Sequence, residues 1–570
     1  MPSLDSEICQ SDEKGDKLEA LNSEIIETSG PDQHDEESFV GLGRLLKHNP
    51  SLQFCREVVQ MNKEELDPAE VRKVERKIDW LIIPALAICY GFYYIDKTTL
   101  SYAAIFNIKK GLHLRTEEYN WLSSLFYFGW VGWALPTNLL MQKFPLGKYL
   151  AIFLWGILLM AQAACHDFVA IAVLRFFSGA FEATADPAFL LITSIWYTRQ
   201  QQPTVIGYWY SANGIGIAVG GLLGYGIGNI KGALPSWRYE FLVVGALCSG
   251  WALVLWLVVP DSPSRAHWFT RHESVIIVSR KRHDLAGTEQ RWFDGRQALE
   301  AFKDPKFYLF FFLGFFANVP NGGTSNFGTL IIQGFGFTTL QTTLMQIPYG
   351  AFIAIVILIT VYVNRKLPKD CRTIVMCILT VPTILGFALV AWLPQHLKVG
   401  RLIGYYLTGA SNAVFVLALS LVTGNVGGVT KKSFCSASIF LGVAAGNIVG
   451  PFMFKDSEAP KYPTGIIGCM VSRILEMVVI IILGIMFAMA NKRRDQKFVE
   501  GNQEYDPALT QGLEDVSDWE NKAFRYVGEC SYFTIILLHL YRLASKFELC
   551  EKLAPIRGDR AVPRFPFPQF

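Results

Sequence analysis

The run Tyr94-Ile95-Asp96-Lys97 and the spacing Arg175-x6-Glu182 place ionisable side chains inside two long apolar stretches. A charge at the bilayer centre costs about 2.5–3.5 kcal/mol on insertion scales. A chain keeps such groups chiefly where they line a pathway. Two cations and two carboxylates facing one cavity hold an anion and carry a proton. The chemistry expected is movement of a small organic anion together with protons.

Asp96 and Lys97 are neighbours, about 100° apart around a helix, so they cannot share a face. Either one enters a cavity while the other pairs with an adjacent helix, or both sit at a helix end and snorkel to water. Arg175, Glu182 and Asp186 follow a +7, +4 spacing, which puts them on one stripe of a continuous helix. A low dielectric favours the neutral form of a carboxyl, whereas a guanidinium stays charged and grips a carboxylate through two parallel hydrogen bonds. The division expected is Arg175 for the substrate anion and Glu182 for the proton. The other reading is a structural Arg175–Glu182 pair. The two are compatible if the pair opens when substrate arrives.

Other polar positions are less specific. Asn213 precedes the glycine-dense run Gly214 to Gly228. It contacts substrate or bonds across helices. The glycines read as a surface for close helix approach. The segment Asn318-Val-Pro320-Asn321-Gly322-Gly323 predicts a broken helix, with Asn318 and Asn321 in a gate or binding segment. Gln142-Lys143-Phe-Pro-Leu-Gly147-Lys148 reads as a cytoplasmic gate loop or as a plain basic loop. No Walker A motif, metal-ligand cluster or nucleophile–base set occurs in the chain, so ATP drive and enzymatic chemistry lack support. No cofactor is expected, and the proton gradient supplies the energy.

The elements that position these residues are membrane helices. The 570 residues are 51% hydrophobic and 18% charged, against about 25% charged in soluble domains. Mean hydropathy is +0.28, and a net charge of +3 does not suggest nucleic acid as a partner. Twelve apolar spans are predicted, near 80–100, 118–140, 147–166, 169–196, 205–229, 238–260, 306–332, 340–363, 372–393, 400–424, 433–454 and 464–490. This is an all-α membrane protein of two six-helix bundles, 79–260 and 305–490, with nested repeats in the major facilitator manner. A head (1–78), a central loop (261–304) and a tail (491–570) lie outside the bundles. Lysine and arginine crowd the terminal side, as at Arg72, Lys73, Arg76, Lys77, Arg365, Lys366, Lys369 and Arg493. That bias makes both termini and the central loop cytoplasmic. The head lacks a signal peptide, so the first span acts as the targeting signal. The eleven cysteines are scattered singly and read as buried thiols. Residues 527–570 read either as an interfacial helix around Tyr532–Tyr541 or as a translated intron.

The chain resembles the anion:cation symporter family of the major facilitator superfamily, and within it the fungal allantoate and nicotinate permease group. The likeness spans about 75–526. It is carried by Pro136-Thr-Asn-Leu-Leu-Met-Gln-Lys-Phe-Pro-Leu-Gly-Lys-Tyr149, by Asn318-Val-Pro-Asn-Gly-Gly323 with Leu330-Ile-Ile-Gln-Gly-Phe-Gly-Phe337, and by Ala444-Ala-Gly-Asn-Ile-Val-Gly-Pro451. The resemblance implies Asp96 and Glu182 in proton coupling, with Tyr94, Lys97 and Arg175 near the substrate carboxylate. Lys97 stands where the family has arginine, and lysine is a point charge without the planar fork. Gln142 stands where the superfamily has aspartate. The implied activity is import of a monocarboxylate such as allantoate, nicotinate or a vitamin acid, by a monomer in a fungal plasma membrane. Two rivals remain: movement of a pathway acid, including outward, for a biosynthetic cluster, and a non-transporting nutrient sensor.

Overall fold

The computed structural model describes residues 67–115, 117–143, 147–198, 201–259, 266, 268–282, 294–366, 371–500, 516–521 and 524–527. Side chains at 135, 138–143, 147–149, 203, 280–282, 365 and 497–500 are outside that description, as is the proposed interfacial or intron-derived segment from 528 onward. Helix α1 (Pro68–Ile105) opens with Asp67 accepting from the backbone N–H of Ala69 at 2.9 Å and with Pro68 in the first turn. Proline belongs there because its missing N–H would have no helical partner. The helix starts well before the apolar span, and its first turns are polar.

Membrane helices follow in order: α2 (Glu118–Lys143), α3 (Gly147–Gln162), α4 (Phe168–Glu182 and Ala185–Trp196), α5 (Gln202–Gly228) and α6 (Ser236–Val258). Two short helices, Arg271–Arg282 and Gly295–Lys303, occupy part of the central segment. The second half holds α7 (Pro305–Gly334), α8 (Thr339–Leu344 and Gln346–Lys366), α9 (Arg372–Trp392), α10 (Lys398–Leu407 and Ser411–Gly424, joined by a 3-10 turn), α11 (Val429–Val449) and α12 (Pro463–Glu500). No strand occurs among the described residues. Among the described residues, eight of the twelve, namely α1, α4, α6 and α8 to α12, are individually long and apolar enough to cross a bilayer.

The halves meet where α5 packs on α8, α2 on α11 and α1 on α7. The glycines of α5 make this possible. A Cβ on Gly214 would lie 2.3 Å from the Gly350 carbonyl oxygen, and one on Gly350 would lie 2.3 Å from the Gly214 oxygen. Farther from the chain termini the interface is polar. The Ser101 and Thr329 hydroxyls are 2.8 Å apart, Tyr119 donates to the Asn326 carbonyl at 2.8 Å, and Lys109 pairs with Asp456 at 2.7 Å.

Of two expectations about helix continuity, the one for α7 is corrected. Helix α4 loosens at Ala183 and Thr184, with Arg175 and Glu182 before that turn and Asp186 after it. Ala183 and Thr184 keep right-handed helical backbone, and Phe168–Trp196 runs as one 29-residue span, so the three side chains share a side of α4. Helix α7 passes through Pro320 unbroken. Proline removes the bond to the carbonyl four residues earlier, that of Phe316, and Ser472 of α12 donates to that oxygen at 3.0 Å. A neighbouring hydroxyl satisfies the freed carbonyl, so the helix persists. Gly322 and Gly323 serve close packing instead. Added Cβ atoms would meet Asn447 backbone at 2.7 Å and the Phe454 ring at 2.4 Å.

The tail beyond α12 docks. Asp518 is buried and forms an ion pair with Lys306 at the start of α7. It also pairs with Lys431 at the start of α11 at 2.8 Å, and Lys431 reaches Asp304 at 2.8 Å and Glu300 at 2.6 Å. Tyr526 donates to Asp518 at 2.6 Å, and Asn491 of α12 exchanges two hydrogen bonds of 2.9 Å with the Tyr526 backbone.

Candidate functional site

Between the halves lies a cavity whose N-terminal wall is largely tyrosine: Tyr90, Tyr93, Tyr94, Tyr127 and Tyr210. Lys97 of α1 projects into it. Its ammonium lies 4.6 Å from the centroid of Tyr93, 5.1 Å from Tyr94 and 5.9 Å from Tyr127. Aromatic faces attract a cation at these distances. Among the described residues no carboxylate is within 4.0 Å of the Lys97 nitrogen. The lysine is therefore held by rings that leave its charge free to meet an anion.

Asp96 points the other way, as the helical angle requires. It is 1% exposed. Trp155 of α3 donates to one carboxylate oxygen at 2.9 Å, and Arg175 of α4 approaches the other at 4.0 Å. Arg175 faces a smaller pocket behind the main one, shared with Asp96, Lys97, Tyr127, Ser325 and Asn326. It is not on the wall of the large cavity, which differs from the placement expected of a substrate-gripping guanidinium. Its carboxylate contact is Asp96, so the structural Arg175–Glu182 pair is replaced by Arg175–Asp96.

Glu182 ends the first segment of α4 and is 1% exposed, with neither oxygen hydrogen-bonded. The charged groups acting on it are Asp96, Lys97, Asp186 and Arg175. Burying a carboxylate without hydrogen-bond partners is costly. Asp186, one turn further on, lines the large cavity. Asp96, Lys97, Arg175, Glu182 and Asp186 thus form one cluster drawn from α1 and α4, with Lys97 shared by both pockets.

Asn318 and Asn321 of α7 line the large cavity. Asn318 also accepts from Asn447 of α11 at 3.2 Å and from Asn321 at 3.3 Å. Asn213 is corrected: it is fully buried, is absent from the wall, and donates to Asn412 of α10 at 3.0 Å. Asn412 is the amide that faces the cavity at that level. The gate candidates Lys143, Gly147 and Lys148 sit at the ends of α2 and α3, and their side chains are outside the described residues.

Sequence reasoning missed Arg473 and Glu476 of α12. Arg473 is 3% exposed, lines the large cavity and pairs with Glu476 at 2.6 Å. The available signal was an Arg-x2-Glu spacing inside an apolar span, the same kind that singled out α4. Glu240 of α6, fully buried with both oxygens unbonded, was missed too.

Comparison with known proteins agrees with this architecture. The Major Facilitator Superfamily model matches residues 86–451. A protein of Schizosaccharomyces pombe described as an uncharacterized transporter is 38% identical over 470 residues, covering 81% of this chain and 87% of that protein. The allantoate permease of Saccharomyces cerevisiae is 31% identical over 506 residues, 85% of this chain and 92% of the permease. A bacterial homologue of the human lysosomal transporter Spinster superposes with a TM-score of 0.52 at 15% identity, covering 70% of this chain and 94% of its own. With twelve helices in two halves, a buried charged cluster and fungal transporters as relatives, this chain is a multi-pass membrane transporter, not an enzyme, and belongs to the Major Facilitator Superfamily.

Proposed function

We propose that the protein imports a small organic anion, a monocarboxylate, together with protons across the plasma membrane, with both termini in the cytoplasm. The observation that carries this reading is Lys97, a cation presented to the central cavity by tyrosine rings, with no carboxylate in ion-pair reach among the described residues. A substrate carboxylate completes that site. Tyr94 and Asn321 border the same space. Glu182 takes the proton, and Asp96, tied to Trp155 and Arg175, relays charge between the two pockets. Substrate binds between the halves, and rocking of one half against the other alternates access. The monomer suffices, no cofactor is needed, and the proton gradient supplies the energy. The allantoate permease among the relatives supports a carboxylate cargo.

The test is acid-pulse uptake of a pooled panel of small carboxylates, read by mass spectrometry, in permease-deficient yeast. Wild type and Glu182→Gln are compared at equal surface expression. One acid accumulates at low external pH in wild type, and the variant loses that accumulation. No accumulation by surface-localised wild type overturns import and favours export of a pathway acid or a sensing role.

A further inference from the structure

The short helix Gly295–Lys303 divides in two around its axis. At about 100° per residue, Gln297, Ala298, Glu300 and Ala301 fall on one side, and Arg296, Leu299, Phe302 and Lys303 on the other. The inner side is engaged by protein. The Gln297 side-chain oxygen accepts from the backbone N–H groups of Thr430 and Lys431, in the first turn of α11, at 3.1 and 3.3 Å. Glu300 pairs with Lys431 and accepts from the Ser517 hydroxyl at 2.9 Å, and both alanines are buried. The outer side is open. Leu299 is 56% exposed and Phe302 47%, with Arg296 and Lys303 exposed beside them. Glu300 is the one carboxylate of this helix and it turns inward, so the outward face is basic and apolar.

The chain itself sets the height of this face. Asp304 ends the short helix and also caps α7, accepting from the backbone N–H of Lys306 at 3.0 Å. Phe302 packs on Phe307 of α7 with ring centroids 5.0 Å apart, and on Phe434 of α11 at 5.4 Å. The Tyr308 hydroxyl donates to the Phe302 carbonyl at 3.1 Å. Tyr308 and Phe312, one turn apart on α7, are both exposed. The apolar outward face therefore continues into the surface that a membrane helix turns to lipid. An amphipathic helix with basic residues on it buries its apolar side about 5–10 Å into the headgroup and acyl boundary. Its lysine and arginine stems lie along that boundary with their charges at headgroup level.

We propose that this face is a lipid-docking surface: Leu299 and Phe302 enter the headgroup–acyl boundary, and Arg296 and Lys303 bind the headgroups of anionic phospholipids. Charge selects the partner. Two cations without an outward carboxylate favour an anionic surface over a neutral one. A second copy of this chain, meeting the same face about a two-fold axis, would set these cations against their own kind. Through Gln297 and Glu300 the bound headgroups bear on the start of α11, and through Asp304 on that of α7. The inference is independent of cargo, coupling and transport direction.

The test is photo-crosslinking of the full-length protein with p-benzoylphenylalanine placed at Leu299, read by mass spectrometry of the adducts. Phe312, exposed on α7, carries the same group in a control that labels lipid. The protein sits in nanodiscs of phosphatidylcholine and phosphatidylserine, about 3:1, and the Leu299 probe forms lipid adducts in which phosphatidylserine is enriched about threefold or more over its share. Adding Arg296→Gln and Lys303→Gln keeps the lipid adducts and returns phosphatidylserine to its share of the mixture. Absence of a lipid adduct at 299 while 312 is labelled overturns the docking surface, as does an adduct to a second copy of the chain. Adducts in the ratio of the mixture overturn the headgroup assignment, and an enrichment that survives in the double variant overturns the roles of Arg296 and Lys303.

Discussion

At the scale of residues, the division of labour between Asp96 and Lys97 follows from helix geometry. Consecutive side chains diverge by about 100°, so one faces the cavity and the other the α3–α4 contact. Lys97→Gln removes the cation and keeps the length and polarity. On the proposed function, affinity for a carboxylate cargo should fall about tenfold or more, given about 1.5–3 kcal/mol for hydrogen bonds to charged groups. Thermal stability in detergent should change little, because the ammonium has no carboxylate partner within ion-pair distance. Binding and melting of the same preparation check both halves of this statement, and unchanged affinity would remove Lys97 from the site. Trp155→Phe, by contrast, deletes the hydrogen bond to Asp96 and leaves the cavity wall alone. It should shift the pH dependence of uptake while leaving cargo selectivity in place.

At the scale of elements, the docked tail is tied to the second half by buried ion pairs. Asp518 ties the first turns of α7 and α11 to residues 516–521 and 524–527, and Arg494 of α12 donates to the Asp518 carbonyl at 2.5 Å. Gly427 permits this approach, since an added Cβ would sit 2.7 Å from the Asp518 backbone nitrogen. Removing one partner of a buried ion pair costs about 3–5 kcal/mol, so Asp518→Ala should lower the melting temperature markedly. A melting temperature equal to wild type would mean that the tail contact carries no stability. Burial pushes the Asp518 carboxyl up, but the neighbouring Lys306 and Lys431 ammonium groups, with Tyr526, hold it below its ordinary value of 3.8. A carboxyl with a lowered folded value contributes its full stability above the ordinary value and loses it as pH falls through the lowered one. The Asp518-dependent part of the melting temperature should therefore be constant above about pH 4 to 5 and shrink in stronger acid. Comparing wild type and Asp518→Ala across pH isolates that part.

At the scale of the whole molecule, alternating access requires the polar contacts at the end remote from the termini to break and re-form. The Ser101 and Thr329 hydroxyls, 2.8 Å apart, bridge α1 and α7 there. A Ser101→Cys, Thr329→Cys pair joined by oxidation should stop uptake, and reduction should restore it. Each single cysteine variant should stay active under the same oxidant. Uptake that persists in the cross-linked protein would show that the two halves do not separate at this end. Likewise Gly214→Leu, which inserts a side chain where α5 and α8 touch through backbone, should reduce uptake more than Gly226→Leu, whose Cβ meets nothing within 4 Å.

Hydropathy, loop charge and motif spacing were enough to read the class of fold, the number of membrane helices and the charged positions on α1 and α4. These are local properties: an apolar run of about 20 residues must cross the bilayer, and a charge within it must find a cavity or a partner. Which of those two outcomes each charge meets is not local. Trp155 of α3 turns Asp96 into a buried acceptor, Asn412 of α10 takes up Asn213, and Ser472 of α12 keeps α7 whole through Pro320. Each partner lies at least 59 residues away in the chain. That Asp186 and Arg473 reach the cavity wall likewise depends on how the helices pack. A chain states which polar groups it buries, but their pairing is a matter of distance in space, and folding alone assigns it.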